Sequence, residues 1–266
     1  MLQKQNKNNN TWANMLDLTF QVASLSQLLS LKNRRFIIST KLSEFRRDVQ
    51  RLQEPVDFPK SVDYFYHHFG PYLYQTKLPQ YIIDRLLVDG KNCKQSYVHN
   101  LAGHLDNEFV YEDETKDWFT NEIQQVISSY RHGHCEYHGL PHDPITYSLN
   151  SFWINFMKAG DYNPAHTHIG DYSFVIFLQV PEELEKEALE YKGTGIQPAS
   201  LYFQFAMSAR PQWATTDKKI QPRVGDMYIF PSMLEHTVIP FKSDVTRISV
   251  SGNIDIDKSQ FSEEAF

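Results

Sequence analysis

The chain has 266 residues and a formal net charge of −6, with 26 basic and 32 acidic side chains. This balance argues against a nucleic-acid-binding protein with a broad positive surface, although one or two local cations could still bind a small anionic cofactor. The two cysteines, Cys93 and Cys135, exclude a disulfide framework and a four-cysteine zinc site. Because neither a transmembrane stretch nor a signal peptide is visible, we expect no membrane partner and a cytoplasmic location.

Residues 1–60 are predicted to form a helical, partly disordered extension. The first residues are polar and rich in Asn, and apolar residues then recur at mostly helical intervals over residues 11–53. Residues 32–51 contain seven Lys or Arg and two acids, which indicates either a solvated helix face or a basic surface for a membrane or an acidic partner. Pro55 and Pro59 interrupt the pattern and mark a linker.

A short strand and two helices are predicted next. Residues 70–76 have the composition of a strand, and Leu78-Pro79 opens a helix, because Pro is favoured in the first helical turn. A second helix is predicted over residues 115–131, where apolar residues recur at i, i+3, i+4 and i+7. Helices that precede a run of strands predict a sheet backed by helices.

The composition of the sequence changes at Thr146. Five short segments rich in β-forming residues follow, separated by Gly, Pro and Asp: residues 151–157, 173–178, 199–205, 226–230 and 245–251. Short strands at such spacing are typical of a sandwich or barrel, and a jelly roll fits. The predicted fold class is therefore mainly β with flanking helices. It comprises a double-stranded β-helix (jelly-roll) core within a domain at residues 69–266, preceded by the helical extension.

Three histidines form the candidate metal site. His166 and His168 stand at the start of a predicted strand, where side chains two residues apart share a face. His236 follows about seventy residues later, at the end of another predicted strand. Neutral imidazoles are good ligands for iron, zinc, copper or nickel, and three on one face of an octahedron leave open the positions that an oxygen-activating iron requires.

Arg247 is the candidate anion-binding residue. It lies on the next predicted strand, eleven residues after His236. A forked, always-charged guanidinium is costly to bury unless it meets an anion, and the far carboxylate of 2-oxoglutarate would be such a partner. The alternative is a salt bridge with Asp244 or Asp255.

The motifs around these residues resemble those of a known family. The resemblance is to the iron(II)/2-oxoglutarate-dependent oxygenase superfamily, above all to prolyl-hydroxylase-like and phage-encoded members with His-x-His where most have His-x-Asp. It extends over about residues 69–255 and is sharp over residues 152–253. The motifs are His166-x-His168, the strand Ser-Phe-Val-Ile-Phe-Leu from Ser173, Gly-Asp-Met-Tyr-Ile-Phe-Pro-Ser from Gly225, His236 and Arg247-Ile-Ser-Val-Ser.

The resemblance implies a ligand set and a reaction. It implies that the three histidines bind Fe(II), with Asp171 as the alternative to His168 because the family usually has a carboxylate there. It further implies that Arg247 binds 2-oxoglutarate, with Ser249 as an additional hydrogen-bond donor and Asn155 orienting cosubstrate or substrate. The expected activity is a dioxygenase reaction with O2 that hydroxylates a protein side chain (prolyl-type) or a small metabolite. It would release succinate and CO2, with ascorbate as an optional reductant.

Two alternatives to this reading stay open. A cupin-like three-histidine metalloenzyme without 2-oxoglutarate would share Gly160, the His-x-His pair and His236, although a cupin's glutamate and final Asn are missing. A catalytically inactive jelly-roll binding module is the alternative from another class.

A second group of metal-ligating residue types, within residues 132–142, could form a zinc site. It lacks a second ligand pair at zinc-finger spacing.

Overall fold

The structure, a computed structural model, describes residues 70–142, 146–206 and 216–257. The predicted extension over residues 1–60 and its basic stretch lie outside these ranges. Within them, no helix has both the length and the apolar character needed to cross a membrane.

The described residues contain ten strands and four α-helices. In chain order they are β1 (Tyr74–Lys77), α1 (Gln80–Asn92), β2 (Glu108–Val110), α2 (Asp113–Glu122), α3 (Gln124–His138), β3 (Tyr147–Met157), β4 (Asn163–His166), β5 (Tyr172–Gln179), α4 (Glu182–Glu190), β6 (Leu201–Gln204), β7 (Asp217–Ile220), β8 (Asp226–Pro231), β9 (Glu235–Val238) and β10 (Arg247–Ile256).

The strands form two antiparallel sheets. The major sheet has the order β1-β8-β5-β10-β3-β2, and the minor sheet has the order β4-β9-β6-β7. Several neighbouring strands come from distant parts of the chain, as in β10, which pairs with both β3 and β5. The predicted jelly-roll core, mainly β with flanking helices, is confirmed.

The two faces of the major sheet have different partners. Alternate residues of β3, β5 and β10 turn one face outward, where Ile154, Ile176 and Val250 pack with residues of α1, α2 and α3 in the largest apolar cluster. The other face turns inward, where Phe177 and Phe230 pack with Phe203 of the minor sheet. The inward face also carries Asn155, Arg247 and Ser249, so the polar residues of the candidate site lie between the sheets.

The predicted helix over residues 115–131 is wrong in one respect, because two helices occupy this region. The break falls at Ile123, with φ of −92° and ψ of 4°. Ile123 is fully buried and the apolar stripe continues through it, so the periodicity of the sequence gives no sign of the break.

Sequence analysis missed α4 and the short strands β2, β4, β7 and β9. For α4 a signal was present, since Pro181 precedes three acidic residues of the first turn. The missed strands have three or four residues, too few to show an alternating pattern.

Candidate active site

The three candidate histidines come together between the sheets. His166 is the last residue of β4 and lies directly opposite His236 of β9, while His168 follows in the loop after β4. One nitrogen from each ring lies within 4.8 Å of the others. The expected positions along the strands were wrong: the His-x-His pair stands at the end of a strand, and His236 stands near the start of one.

The local fold explains how β4 was missed and how the loop is held. Pro164 cannot donate a ladder hydrogen bond, and Pro is tolerated here because β4 is an edge strand. The loop is fixed to neighbouring chain by two backbone bonds, from the His168 N–H to the Ser232 carbonyl (2.8 Å) and from the Asp171 N–H to the Ile254 carbonyl (2.9 Å). The His168 side chain is therefore presented from an anchored backbone.

Backbone carbonyls select the tautomers of two of the rings. His166 Nδ1 lies 2.7 Å from the Pro164 carbonyl oxygen, and His236 Nδ1 lies 2.9 Å from that of Leu234. A carbonyl only accepts, so each Nδ1 donates its proton and each Nε2 keeps a free lone pair. His168 Nε2 lies 3.1 Å from His236 Nε2, so the two ring nitrogens face one point.

Burial keeps two of these imidazoles neutral. Burial, with the neighbouring His166 and His168, lowers the pKa of His236 to about 3. Burial, again with His166, lowers the pKa of His168 to about 4. Neutral imidazole is the form that binds a transition metal, so near neutral pH these rings carry no proton that a metal would have to displace.

Arg247, the first residue of β10, is buried and lines a cavity between the sheets that the three histidines also line. It is 3% exposed, donates through Nη1 to the Ala199 carbonyl (3.0 Å) and packs over the Phe177 ring, while its Nε–H has no partner. Within the described ranges no carboxylate lies within 4.0 Å of the guanidinium, so the alternative salt bridge with Asp244 or Asp255 is absent. Burial lowers the pKa of Arg247 to about 10.

Ser249 and Asn155 stand side by side on the inward face of the major sheet. They are cross-strand partners on β10 and β3, and both are buried. The Asn155 side-chain N–H donates to the Ser249 carbonyl at 3.4 Å. The other polar atom of this side chain, Oδ1, is buried and has no hydrogen-bond partner. Both residues line a cavity of about 260 Å³ that the three histidines and Arg247 also line.

Asp171 occupies a different position from the histidines. Its carboxylate accepts a hydrogen bond from the backbone N–H of Ile256 (2.9 Å) at the far end of β10. It does not belong to the group whose ligand atoms lie within 4.8 Å of one another. In this arrangement Asp171 holds the loop after β4 against β10.

Glu108 lines the same cavity and was missed by sequence analysis. It lies on β2 opposite Asn155, it is fully buried, and neither carboxylate oxygen has a hydrogen-bond partner. Burial, with a smaller contribution from the negative charge of Asp161, raises the pKa of Glu108 to about 7. The segment Glu-Phe-Val belongs to no motif, so the sequence offered no signal for its place in the site.

The second group of histidines does not form a comparable centre. His132 pairs with Glu136 on the surface, and the rings of His134 and His138 contact each other on α3. Among the described residues, His166, His168 and His236 are the one group of three or more ligand residues that could hold a metal ion.

Residues 151–253 match the sequence profile of a family described as "Putative 2OG-Fe(II) oxygenase". The match runs from β3 through β10 and contains all three histidines and Arg247. The resemblance to the iron(II)/2-oxoglutarate oxygenases is confirmed. No curated protein sequence matches the chain significantly.

Several solved structures of 2-oxoglutarate oxygenases and related enzymes are similar to this chain at low identity. The viral collagen prolyl hydroxylase of Paramecium Bursaria Chlorella virus-1, in its 2OG complex, is 15% identical with a TM-score of 0.44, covering 70% of this chain and 96% of that one. The Pseudomonas putida prolyl-4-hydroxylase is 13% identical with a TM-score of 0.40, covering 69% and 91%. A Trichoplax adhaerens prolyl hydroxylase, solved with a hypoxia inducible factor peptide fragment, is 12% identical with a TM-score of 0.44, covering 86% and 95%.

Proposed function

We propose that this protein is a non-haem Fe(II)- and 2-oxoglutarate-dependent dioxygenase. In this proposal it hydroxylates a protein side chain or a small metabolite and releases succinate and CO2. The observation that carries the proposal is that a buried guanidinium without an anionic partner shares one cavity with three converging imidazoles. The family match over residues 151–253 supports the same activity.

The residues present fit both groups that this activity needs. The Nδ1 atoms of His166 and His236 are engaged by carbonyls, which leaves a set of Nε2 lone pairs suited to iron. The Arg247 guanidinium is buried and its Nε–H has no partner, so it can donate to a carboxylate in a charge-assisted hydrogen bond, which is strong. Fe(II) with 2-oxoglutarate supplies O2 activation and the oxidation of a substrate C–H bond.

Each side chain has a distinct role in this proposal. His166, His168 and His236 hold the metal, and Arg247 binds and orients the far carboxylate of 2-oxoglutarate. Ser249, two residues along β10 and on the same face, adds a hydroxyl beside that carboxylate. Asp171 is proposed to hold the loop rather than to bind metal, because its carboxylate accepts the Ile256 N–H.

Two other functions receive less support. A cupin-like enzyme that uses no 2-oxoglutarate has no need of a buried cation on β10, and an inactive binding module has no need of three convergent imidazoles. A cytoplasmic location and the use of ascorbate stay predictions.

An anaerobic titration tests the proposed function. The full chain is mixed with Fe(II) and then with 2-oxoglutarate, and the visible absorption of a metal-to-ligand charge-transfer band is followed. The proposal expects a saturable band that requires both additions, together with succinate release once O2 is admitted. Metal binding without a band on adding 2-oxoglutarate would instead favour the cupin-like alternative.

A further inference from the structure

Glu108 is a buried carboxyl group that the proposed metal and cosubstrate sites leave unexplained. Its side chain is fully buried and lines the cavity, yet Oε1 and Oε2 have no hydrogen-bond partner. A buried carboxyl group without hydrogen-bond donors is costly, so its presence in a cavity wall calls for an explanation, and a ligand that brings donors would provide one. Arg247 is not that partner, because no carboxylate in the described ranges lies within 4.0 Å of its guanidinium.

A second orphan acceptor stands next to Glu108. Asn155 is the cross-strand partner of Glu108, and residues so paired have side chains about 5 Å apart on one face. The side-chain amide of Asn155 donates hydrogen bonds to the Ser249 carbonyl and to the Ser251 hydroxyl, while its Oδ1 is buried without a partner. This part of the cavity wall therefore presents three buried acceptor atoms, the two Glu108 oxygens and Asn155 Oδ1, that form no hydrogen bond.

The charge and the aromatic lining near Glu108 favour a cation. Asp161 lies close enough for its negative charge to act on Glu108. Tyr97 and Trp153 also line the cavity, with ring centroids 5.8 Å apart, and Trp153 is two residues from Asn155 on the same face of β3. Aromatic faces attract ammonium and guanidinium groups, above all where water is excluded.

This acidic wall is adjacent to the metal site. The Trp153 ring centroid lies 5.8 Å from that of His168, so Trp153 connects the wall around Glu108 to the histidines. A molecule held at Glu108 would therefore extend toward the position where the metal is proposed to bind. Arg247 and the imidazoles account for the cosubstrate and the metal, which leaves the wall around Glu108 for the substrate.

We propose that the substrate carries a basic nitrogen, an ammonium or guanidinium group, which Glu108 and Asn155 bind beside Tyr97 and Trp153. This inference rests on the proposed function, since it assigns the substrate class of that same cavity. An organic cation satisfies three acceptors with several N–H donors and neutralises the buried carboxylate. A neutral hydroxyl would offer one donor and no charge.

The test compares two probes of nearly equal shape, n-butylguanidinium and neutral n-butylurea. Their binding to the full chain, reconstituted anaerobically with Fe(II) and 2-oxoglutarate, is measured by saturation-transfer NMR. We expect wild type to prefer n-butylguanidinium by at least about 10-fold, the scale of a charge-assisted hydrogen bond. We expect Glu108→Gln to reduce this preference to within about 2-fold, while Glu112→Gln, which removes an exposed charge nearby, leaves it unchanged.

Two outcomes overturn the inference. One is that wild type does not prefer n-butylguanidinium to n-butylurea, a result that needs no variant. The other is that Glu108→Gln keeps the wild-type preference. Glu108→Asp keeps the charge and should keep most of the preference, with thermal unfolding followed by circular dichroism as the check on folding. The charge-transfer band separates the two proposals: a band without the cation preference rejects the substrate class alone, whereas no band in wild type rejects the proposed function.

Discussion

His166 and His236 are direct cross-strand partners in the minor sheet, with ring centroids 4.3 Å apart, although about seventy residues of chain separate them. Antiparallel pairing places partner side chains on the same face. The register of β4 against β9, rather than any local motif, therefore creates the candidate metal site. A shift of one residue would turn His236 to the other face of the sheet.

The first prediction concerns this pair. The Leu234 carbonyl holds Nδ1 of His236, so Nε2 is the nitrogen free to bind the metal. His236→Ala removes this ligand, and the variant should lose Fe(II) binding and metal-dependent succinate release. Metal content after anaerobic reconstitution and desalting measures the effect. His99→Ala, at an exposed position, is the matched control and should bind metal as wild type does. Wild-type metal content in His236→Ala would remove the proposed centre.

A second prediction separates His168 from Asp171. His168→Ala should weaken Fe(II) binding by at least about 100-fold, since loss of outer partners alone costs about 10- to 100-fold. Asp171→Asn should leave metal affinity unchanged, because Asp171 accepts the Ile256 N–H. His168→Asp should retain the metal, since a carboxylate is the usual ligand at this position in the family that the chain resembles.

Fe(II) titration monitored by competition with a chromogenic chelator distinguishes these variants. The opposite pattern, with metal lost in Asp171→Asn and kept in His168→Ala, would make Asp171 the ligand.

A third prediction concerns cosubstrate binding. Arg247→Leu should raise the Kd for 2-oxoglutarate by about 10- to 100-fold, the scale of hydrogen bonds to a charged group, and leave Fe(II) bound. The charge-transfer band, titrated with 2-oxoglutarate, gives this Kd. Arg223→Leu removes an exposed guanidinium and serves as the control. Unchanged 2-oxoglutarate affinity in Arg247→Leu would reject its role.

A fourth prediction follows from the pKa of Glu108, which burial raises from its ordinary 4.5 to about 7. Between these values the folded protein holds a proton that the unfolded chain has released. The resulting stability is therefore fully present below about pH 4.5 and is lost as pH rises through about 7. Glu108→Gln has no such proton. Its free energy of unfolding, relative to wild type, should thus increase by about 2 to 3 kcal/mol from about pH 5 to about pH 8.

Urea unfolding of both proteins, without metal or cosubstrate, measures this difference at several pH values. Glu112→Gln, at an exposed position, should run parallel to wild type. A Glu108→Gln curve that also runs parallel to wild type would show that the Glu108 carboxyl ionises normally in the folded state.

The sequence predicted the fold class and the longer elements because their patterns are local. The strands around Phe152, Phe174 and Met227 are runs of β-forming residues between turn residues, and the helix after Pro79 carries an apolar stripe. The break at Ile123 and the short strands β4 and β9 were missed. The break depends on packing that the stripe does not reveal. Strand β4 contains Asn and Pro, which have little strand propensity, and β9 has only four residues, too few to show an alternating pattern.

The sequence by itself determined which residue types could form the site: two histidines separated by one residue, a third histidine and an arginine. Their spacing resembles that of the iron(II)/2-oxoglutarate oxygenases. Only the tertiary structure decided that these side chains converge, that Asp171 faces the backbone of β10 instead, and that Glu108 joins the cavity. The physical reason is that strand register and sheet order bring together residues distant in the chain. A buried carboxylate acquires its unusual environment only from neighbours on β3 that no local pattern specifies.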